Sequence, residues 1–217
     1  MHVIAEIKRR SPSKGVIDDE MDSRARARSY VSGGATAISV LTEGDSFGGS
    51  NEDFSAVAGG VSVQLLKKDF HVHPAQVWEA AGLGASALLL IVRALGASGT
   101  NRMADAAREA NIEALFEIRD ERELEWAMDA GAHMIGVNRR DLETLALEDA
   151  VVATMLPKIP SSCVAIVESG INQRSNVVDA GELGADAVLV GSSLSGASGP
   201  ADAVRAFCGV ARRGRSG

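Results

Sequence analysis

Gly34-Ala35-Thr36-Ala37-Ile38-Ser39-Val40 is one of four related stretches in this chain, each a helix-like segment that stops at Gly-Ala before a short apolar run. The others place Gly84-Ala85 before Leu88-Leu89-Leu90-Ile91, Gly131-Ala132 before Met134-Ile135-Gly136-Val137, and Gly184-Ala185 before Ala187-Val188-Leu189-Val190. A spacing of roughly fifty residues marks internal repetition. Glycine at a helix end accepts the left-handed conformation that stops the helix, so each copy reads as helix, stop, buried strand. Between the copies lie four more β-prone runs, Val3 to Lys8, Val61 to Leu66, Ile112 to Ile118 and Cys163 to Glu168. Eight strands alternating with helical stretches predict an α/β fold, a (β/α)8 TIM barrel with a single domain over residues 1–217. An open doubly wound sheet is the alternative, disfavoured because no G-x-G-x-x-G follows the first strand.

The rest of the composition agrees. Alanine, glycine, valine and leucine dominate and aromatic residues make up 4% of the chain, which suits helices packed closely on a parallel sheet. A formal charge of −7 without a basic stripe speaks against nucleic acid as a partner. Cys163 and Cys208 are too few and too far apart for a disulfide scaffold, so a reduced, cytoplasmic protein is expected. The run Ala87 to Val92 is too short to span a bilayer, and no membrane association is expected. Ser23 to Ser32 should form the first helix, with Arg24, Arg26 and Arg28 solvated and Tyr30 and Val31 nearer the sheet. The basic tail 212–217 is expected to fray.

Charged groups in the strands point to chemistry. In Ile4-Ala5-Glu6-Ile7-Lys8, alternation puts Glu6 and Lys8 on one side, as the wall of a site or the solvated face of an edge strand. The third strand ends in Lys67-Lys68, and only one of two neighbours can face inward, where it would be placed for general-acid or Schiff-base work. Glu117, an acid in an otherwise apolar fifth strand, is costly unless it faces a polar cavity. Asn138, Arg139 and Arg140 follow the sixth strand. Glu168-Ser169-Gly170 and Gly191-Ser192 follow the seventh and eighth, where exposed backbone N–H groups form the usual phosphate cradle of this fold. Phe47, in the glycine-rich loop after the second strand, suits a flap over an apolar ligand; a flexible connector is the plainer reading. His71 and His73 lack a third ligand and read as loop and cap residues, so no metal and no cofactor are expected. Pro74 should open the third helix, with Val77 and Trp78 packing inward. These features suggest a barrel enzyme acting on a phosphorylated, partly apolar substrate by proton transfer from Glu and Lys.

The sequence resembles indole-3-glycerol phosphate synthase. The resemblance rests on Ile4-Ala5-Glu6-Ile7-Lys8-Arg9-Arg10-Ser11-Pro12-Ser13, Ser39-Val40-Leu41-Thr42-Glu43 with Phe47-Gly48-Gly49-Ser50, Lys68-Asp69-Phe70 and Leu89-Leu90-Ile91-Val92. It continues through Glu117, Gly136-Val137-Asn138-Arg139-Arg140-Asp141-Leu142, Glu168-Ser169-Gly170-Ile171 and Val190-Gly191-Ser192-Ser193-Leu194. The resemblance implies conversion of 1-(2-carboxyphenylamino)-1-deoxyribulose 5-phosphate to indole-3-glycerol phosphate, a carboxy-lyase reaction of tryptophan biosynthesis that loses carbon dioxide and water. It implies Lys68 as general acid, Glu117 in the dehydration and Lys8 on the anthranilate carboxylate. Glu6, Asn138 and Glu168 would complete the catalytic set. Ser11, Phe47, Phe70, Leu89, Arg140, Ser169, Gly170, Gly191 and Ser192 would bind substrate. Family members usually carry some forty-odd residues before this first strand, including a helix across the site, whereas here the strand starts at His2 or Val3; either the start is truncated or misannotated, or this is a natural short form whose more open site is expected to raise the Michaelis constant. A related phosphate-binding isomerase or lyase, or a non-catalytic metabolite-binding barrel, is the alternative. A phosphorylated small molecule is the expected partner, and no helical stretch shows an apolar outer face long enough to nominate an interface between copies.

Overall fold

The computed structural model describes residues 1–141 and 144–215. Its frame is a closed barrel of eight parallel strands: β1 (His2–Ile7), β2 (Ala37–Leu41), β3 (Gln64–Lys68), β4 (Ala87–Ile91), β5 (Glu113–Ile118), β6 (Met134–Asn138), β7 (Val164–Glu168) and β8 (Ala187–Val190). The helices among the described residues are α1 (Ser23–Ser32), α2 (Asn51–Ala58), α3 (Pro74–Gly82), α4 (Val92–Glu109), α5 (Glu121–Asp129), α6 (Asp149–Met155), α7 (Arg174–Glu182), the short α8 (Ser192–Ser195) and α9 (Pro200–Phe207). The (β/α)8 expectation is therefore met, and the open sheet is excluded because β1 pairs with both β2 and β8.

The Gly-Ala stops work as the sequence suggests. Gly34, Gly84, Gly131 and Gly184 all have positive φ. The amide of the alanine that follows each one bonds back to the carbonyl five residues earlier: Ala35 to Tyr30, Ala85 to Ala80, Ala132 to Ala127, Ala185 to Ala180. This is the Schellman closure, which satisfies the last helical carbonyls and aims the chain into the next strand. A fifth copy escaped the sequence reading. α4 ends in the same way, with Ile112 bonded to Ala107, but Asn111 takes the left-handed position at φ 54°.

Strand register builds the interior in layers. The ladder slips by two residues at β3, β5, β7 and β1, which closes the ring with the shear of about eight typical of this fold. Inward residues of the odd strands thus share a level. Ile4, Leu66, Leu115 and Ile166 form an apolar layer; one step up, Glu6, Lys68, Glu117 and Glu168 form a charged one. Even strands contribute Ser39, Leu89, Gly136 and Leu189 just beneath the charged layer, and Leu41, Ile91, Asn138 and Gly191 just above it. Residues facing outward, such as Ala5, Ile7, Val40, Leu88, Leu90 and Val167, join the larger core between sheet and helices.

Several expectations need correction. β3 lies at Gln64–Lys68 rather than Val61–Leu66, because its ladder to β2 begins at Gln64 opposite Ala37. Trp78 does not pack inward: Val77 and Ala80 carry the buried face of α3, and Trp78, a hundred degrees round the helix, is 51% exposed. Arg26 is not simply solvated. Its guanidinium donates to the Ser195 carbonyl at 2.9 Å and pairs with Asp18 at 3.0 Å, serving carbonyls that the short α8 leaves without helical partners. In the basic tail Arg215 pairs with Asp186 at 2.9 Å; the last two residues of that tail, like Leu142 of the family motif, lie outside the described residues.

Candidate active site

The two lysines of β3 have separate fates. Lys67 faces the helices, buried, with Asp69 at 3.2 Å and Glu79 at 3.5 Å. Lys68 faces the barrel interior, where its ammonium donates to Glu168 Oε2 at 2.9 Å and lies 3.3 Å from Glu6 Oε2. The other oxygen of Glu6 meets Lys8 at 2.6 Å. β1, β3 and β7 therefore join one chain of alternating charge, Lys8–Glu6–Lys68–Glu168. The solvated-edge reading of β1 is ruled out, since Glu6 is buried and β1 is paired on both sides.

Glu117 completes the layer from β5. Burial, followed by the neighbouring Glu168 charge, pushes its carboxyl up to about 7, and Lys68 and a hydrogen bond from Asn138 offset only part of that rise. Glu6 goes the other way. Burial alone would raise it, but Lys8 and Lys68 pull it down to about 2, so it stays ionised. For Lys68, burial opposes the charged form, yet Glu168, Glu6 and Glu117 raise its pKa above the ordinary lysine value. One level thus holds a fixed ammonium, a fixed carboxylate and a carboxyl able to exchange its proton near neutrality.

Asn138 ties this layer to the rim. Its Oδ1 accepts from Ser169 Oγ at 2.8 Å and from the Arg140 amide at 2.9 Å, while its amide donates to Glu117. The Arg140 guanidinium turns into its own loop and donates to the Leu145 carbonyl at 2.7 Å. Ser169 and Gly170 both take positive φ, and Ser193 Oγ, at the start of α8, donates to the Ile171 carbonyl at 2.9 Å, drawing the β7 and β8 loops together. Gly191 sits close above Glu6, and Ser192 opens α8 beside it. Phe47 and Phe70 face each other from adjacent loops with ring centroids 6.4 Å apart. Leu89 is not with them; it lies one level beneath the charged layer. Ser11 is buried in the β1–α1 loop, where its hydroxyl accepts from the Lys14 amide at 3.2 Å.

The histidines do not converge: His71 Nδ1 bonds the Leu89 carbonyl and His73 caps α3. The sequence reading passed over Asp69. Its carboxylate accepts from Thr42 Oγ1 at 2.5 Å, from Lys67, and from the Phe70 amide at 2.8 Å, pinning the β2 loop to the β3 loop. A carboxylate directly after two strand-end lysines was the available signal.

A closed parallel barrel with an ion-paired lysine and a carboxyl pushed up to about 7 among its inward strand residues defines a TIM barrel whose interior carries a cluster of titratable groups. Comparison with known proteins makes the assignment specific. The family description "Indole-3-glycerol phosphate synthase" matches residues 1–207, and the chain belongs to that family. An indole-3-glycerol phosphate synthase of Nocardioides sp. (strain ATCC BAA-499 / JS614) is 47% identical over 208 residues, covering 96% of this chain and 80% of that one. One from Kineococcus radiotolerans is 46% identical, covering 93% and 74%. Among solved structures, 3-hexulose-6-phosphate synthase from Salmonella typhimurium superposes with a TM-score of 0.72 over 95% of this chain and 96% of that one; at 17% identity this speaks to the fold alone.

Proposed function

We propose that this chain closes the indole ring, converting 1-(2-carboxyphenylamino)-1-deoxyribulose 5-phosphate to indole-3-glycerol phosphate with loss of carbon dioxide and water. The observation that carries the reading is the Lys68 ammonium held between Glu6 and Glu168, level with a carboxyl titrating near 7.

In this reading the aromatic carbon bearing the carboxylate attacks the ribulose carbonyl, and negative charge grows on the carbonyl oxygen. Lys68 meets that charge with an ammonium that burial and its carboxylate partners keep in place, then donates its proton. Lys8 holds the anthranilate carboxylate until it leaves as carbon dioxide and restores the aromatic ring. Ionised Glu117 then takes a proton from the new ring, while the Lys8 ammonium, freed once carbon dioxide has gone, protonates the hydroxyl so that it departs as water. Asn138 orients Glu117, and Glu6 and Glu168 fix the two lysines. The phosphate would rest on backbone N–H groups of the Ser169-Gly170 and Gly191-Ser192 loops, with the aromatic end against Phe47 and Phe70. Arg140, whose guanidinium donates to the Leu145 carbonyl through one nitrogen, would add positive charge for an anionic group. The setting fits the cytoplasm, since Cys163 and Cys208 are free thiols and no described helix is long and apolar enough to cross a membrane.

Mixing the protein with the carboxyphenylamino-deoxyribulose phosphate and following indole fluorescence tests the reading. Product fluorescence should appear, and Lys68→Met should slow turnover by about 10²-fold or more. Absence of product from the unaltered chain, or near-normal turnover by Lys68→Met, would remove the activity or the lysine's role respectively.

A further inference from the structure

The two carboxylates that hold Lys68 each lie against a glycine, Gly136 within the neighbouring strand β6 and Gly191 just after the neighbouring strand β8. Glu168 Oε1 occupies the space where a side chain on Gly136 would begin: a Cβ built there would fall well inside contact distance of that oxygen and 3.3 Å from Leu115 Cδ1. Glu6 Oε1 does the same at Gly191, whose Cβ would also come within 2.9 Å of Lys8 Nζ. The layers explain the pairing. Gly136 lies on β6 in the level beneath the charged one, so Glu168 dips toward it from β7; Gly191 follows β8 in the level above, so Glu6 tucks under it from β1. Gly136 lies in regular strand with no positive φ, so what that position requires is the missing side chain; Gly191, at φ −111° and ψ −90°, is neither helical nor extended and adds a turn of its own to the same lack of a side chain.

Glu168 is buried, and its Oε1 has no hydrogen-bond partner. A buried carboxylate oxygen without a donor costs free energy, and nothing polar draws it to Gly136. It rests there because the opposite oxygen is bonded to Lys68 and the glycine leaves the room.

We propose that Gly136 and Gly191 are positioning residues that seat Glu168 and Glu6, and through them fix where the Lys68 ammonium stands. The proposal deepens the ring-closure reading and rests on it for its kinetic test. The displaced atom would be the far end of a flexible side chain rather than backbone, so an alanine can be accommodated by moving the carboxylate. Shortening the acid should then restore the fit.

The test is a size-compensation cycle of Gly136→Ala, Glu168→Asp and the double variant, scored by indole fluorescence and thermal melting. Each single change should lower kcat by about tenfold or more with KM within about threefold, because a misplacement near 1 Å in a catalytic group is felt mainly in turnover. The double variant should recover at least about fivefold over the worse single, a coupling expected only between groups in contact. Additive losses, or normal kcat in Gly136→Ala, would overturn the proposal. Should Gly136→Ala fail to fold, the cycle of Gly191→Ala with Glu6→Asp decides by the same criterion. Crystal structures of the same variants separate this inference from the assigned activity. If the parent chain makes no indole product, a Gly136→Ala structure with the Glu168–Lys68 contact broken still supports the seat, and one with it intact rejects it.

Discussion

Burial and the neighbouring Glu168 charge push the Glu117 carboxyl up to about 7, so its proton exchanges in the neutral range and can report on turnover. If its ionised form removes the ring proton, kcat should fall on the acid side with a midpoint near 7. In Glu117→Gln that limb should vanish and turnover should drop by about 10²-fold. A pH profile that keeps its acid limb in Glu117→Gln would assign the titration to another group. Glu117 could be found in the sequence because an acid in an apolar strand is conspicuous. Lys68 was harder: alternation shows that one of Lys67 and Lys68 faces inward, but choosing between them needs the register of β3 against β2. Gly136 could not be recognised as a seat at all, since its significance lies in the path of a side chain 32 positions further along.

Between elements, the link with the most leverage is the one joining the β2 and β3 loops through Asp69. Thr42 comes from one loop and Phe70 from the other, and both bond the same carboxylate. The Thr42 amide also bonds the Lys68 carbonyl at 3.0 Å. Asp69→Ala should therefore loosen the Phe47–Phe70 pair and leave Lys67 with Glu79, a partner 48% exposed. The expected result is a KM raised by about tenfold with a smaller change in kcat, since the loss falls on substrate placement. Unchanged KM would show that the aromatic pair does not need the clamp. At this scale the sequence was most readable where backbone chemistry dictates residue type: four glycine stops announced four helix ends. It was least readable where a substitute serves as well. Asn111 tolerates the left-handed region and hid a fifth stop, and the face presented by α3 turned on one step of helical phase, which left Trp78 outside.

Across the whole barrel, the charged layer makes stability depend on pH in two opposite senses. Glu117 has a folded-state pKa raised from 4.5 to about 7, so its contribution is fully present below about 4.5 and is lost as pH rises through 7. Glu6 is depressed to about 2, so its contribution is present above about 4.5 and is lost as pH falls through 2. Between pH 5 and 8 the Glu117 effect should dominate, on the order of 3 kcal/mol in total. Melting across that range should show a downward trend with rising pH that is clearly flatter in Glu117→Gln. Equal slopes in the two proteins would mean that the carboxyl is not held in its neutral form.

The ring closes only when the first and last strands meet, His2 beside Ala187. Lys68 emerges early from the ribosome, but one of its two acidic neighbours comes from the first strand and the other from the seventh. Until the final strands arrive, that lysine has at most half of its cage, and a nascent or partly refolded chain rich in helix would still be chemically silent. Recovered turnover is thus a gauge of circumferential assembly, more stringent than any measure of secondary structure alone.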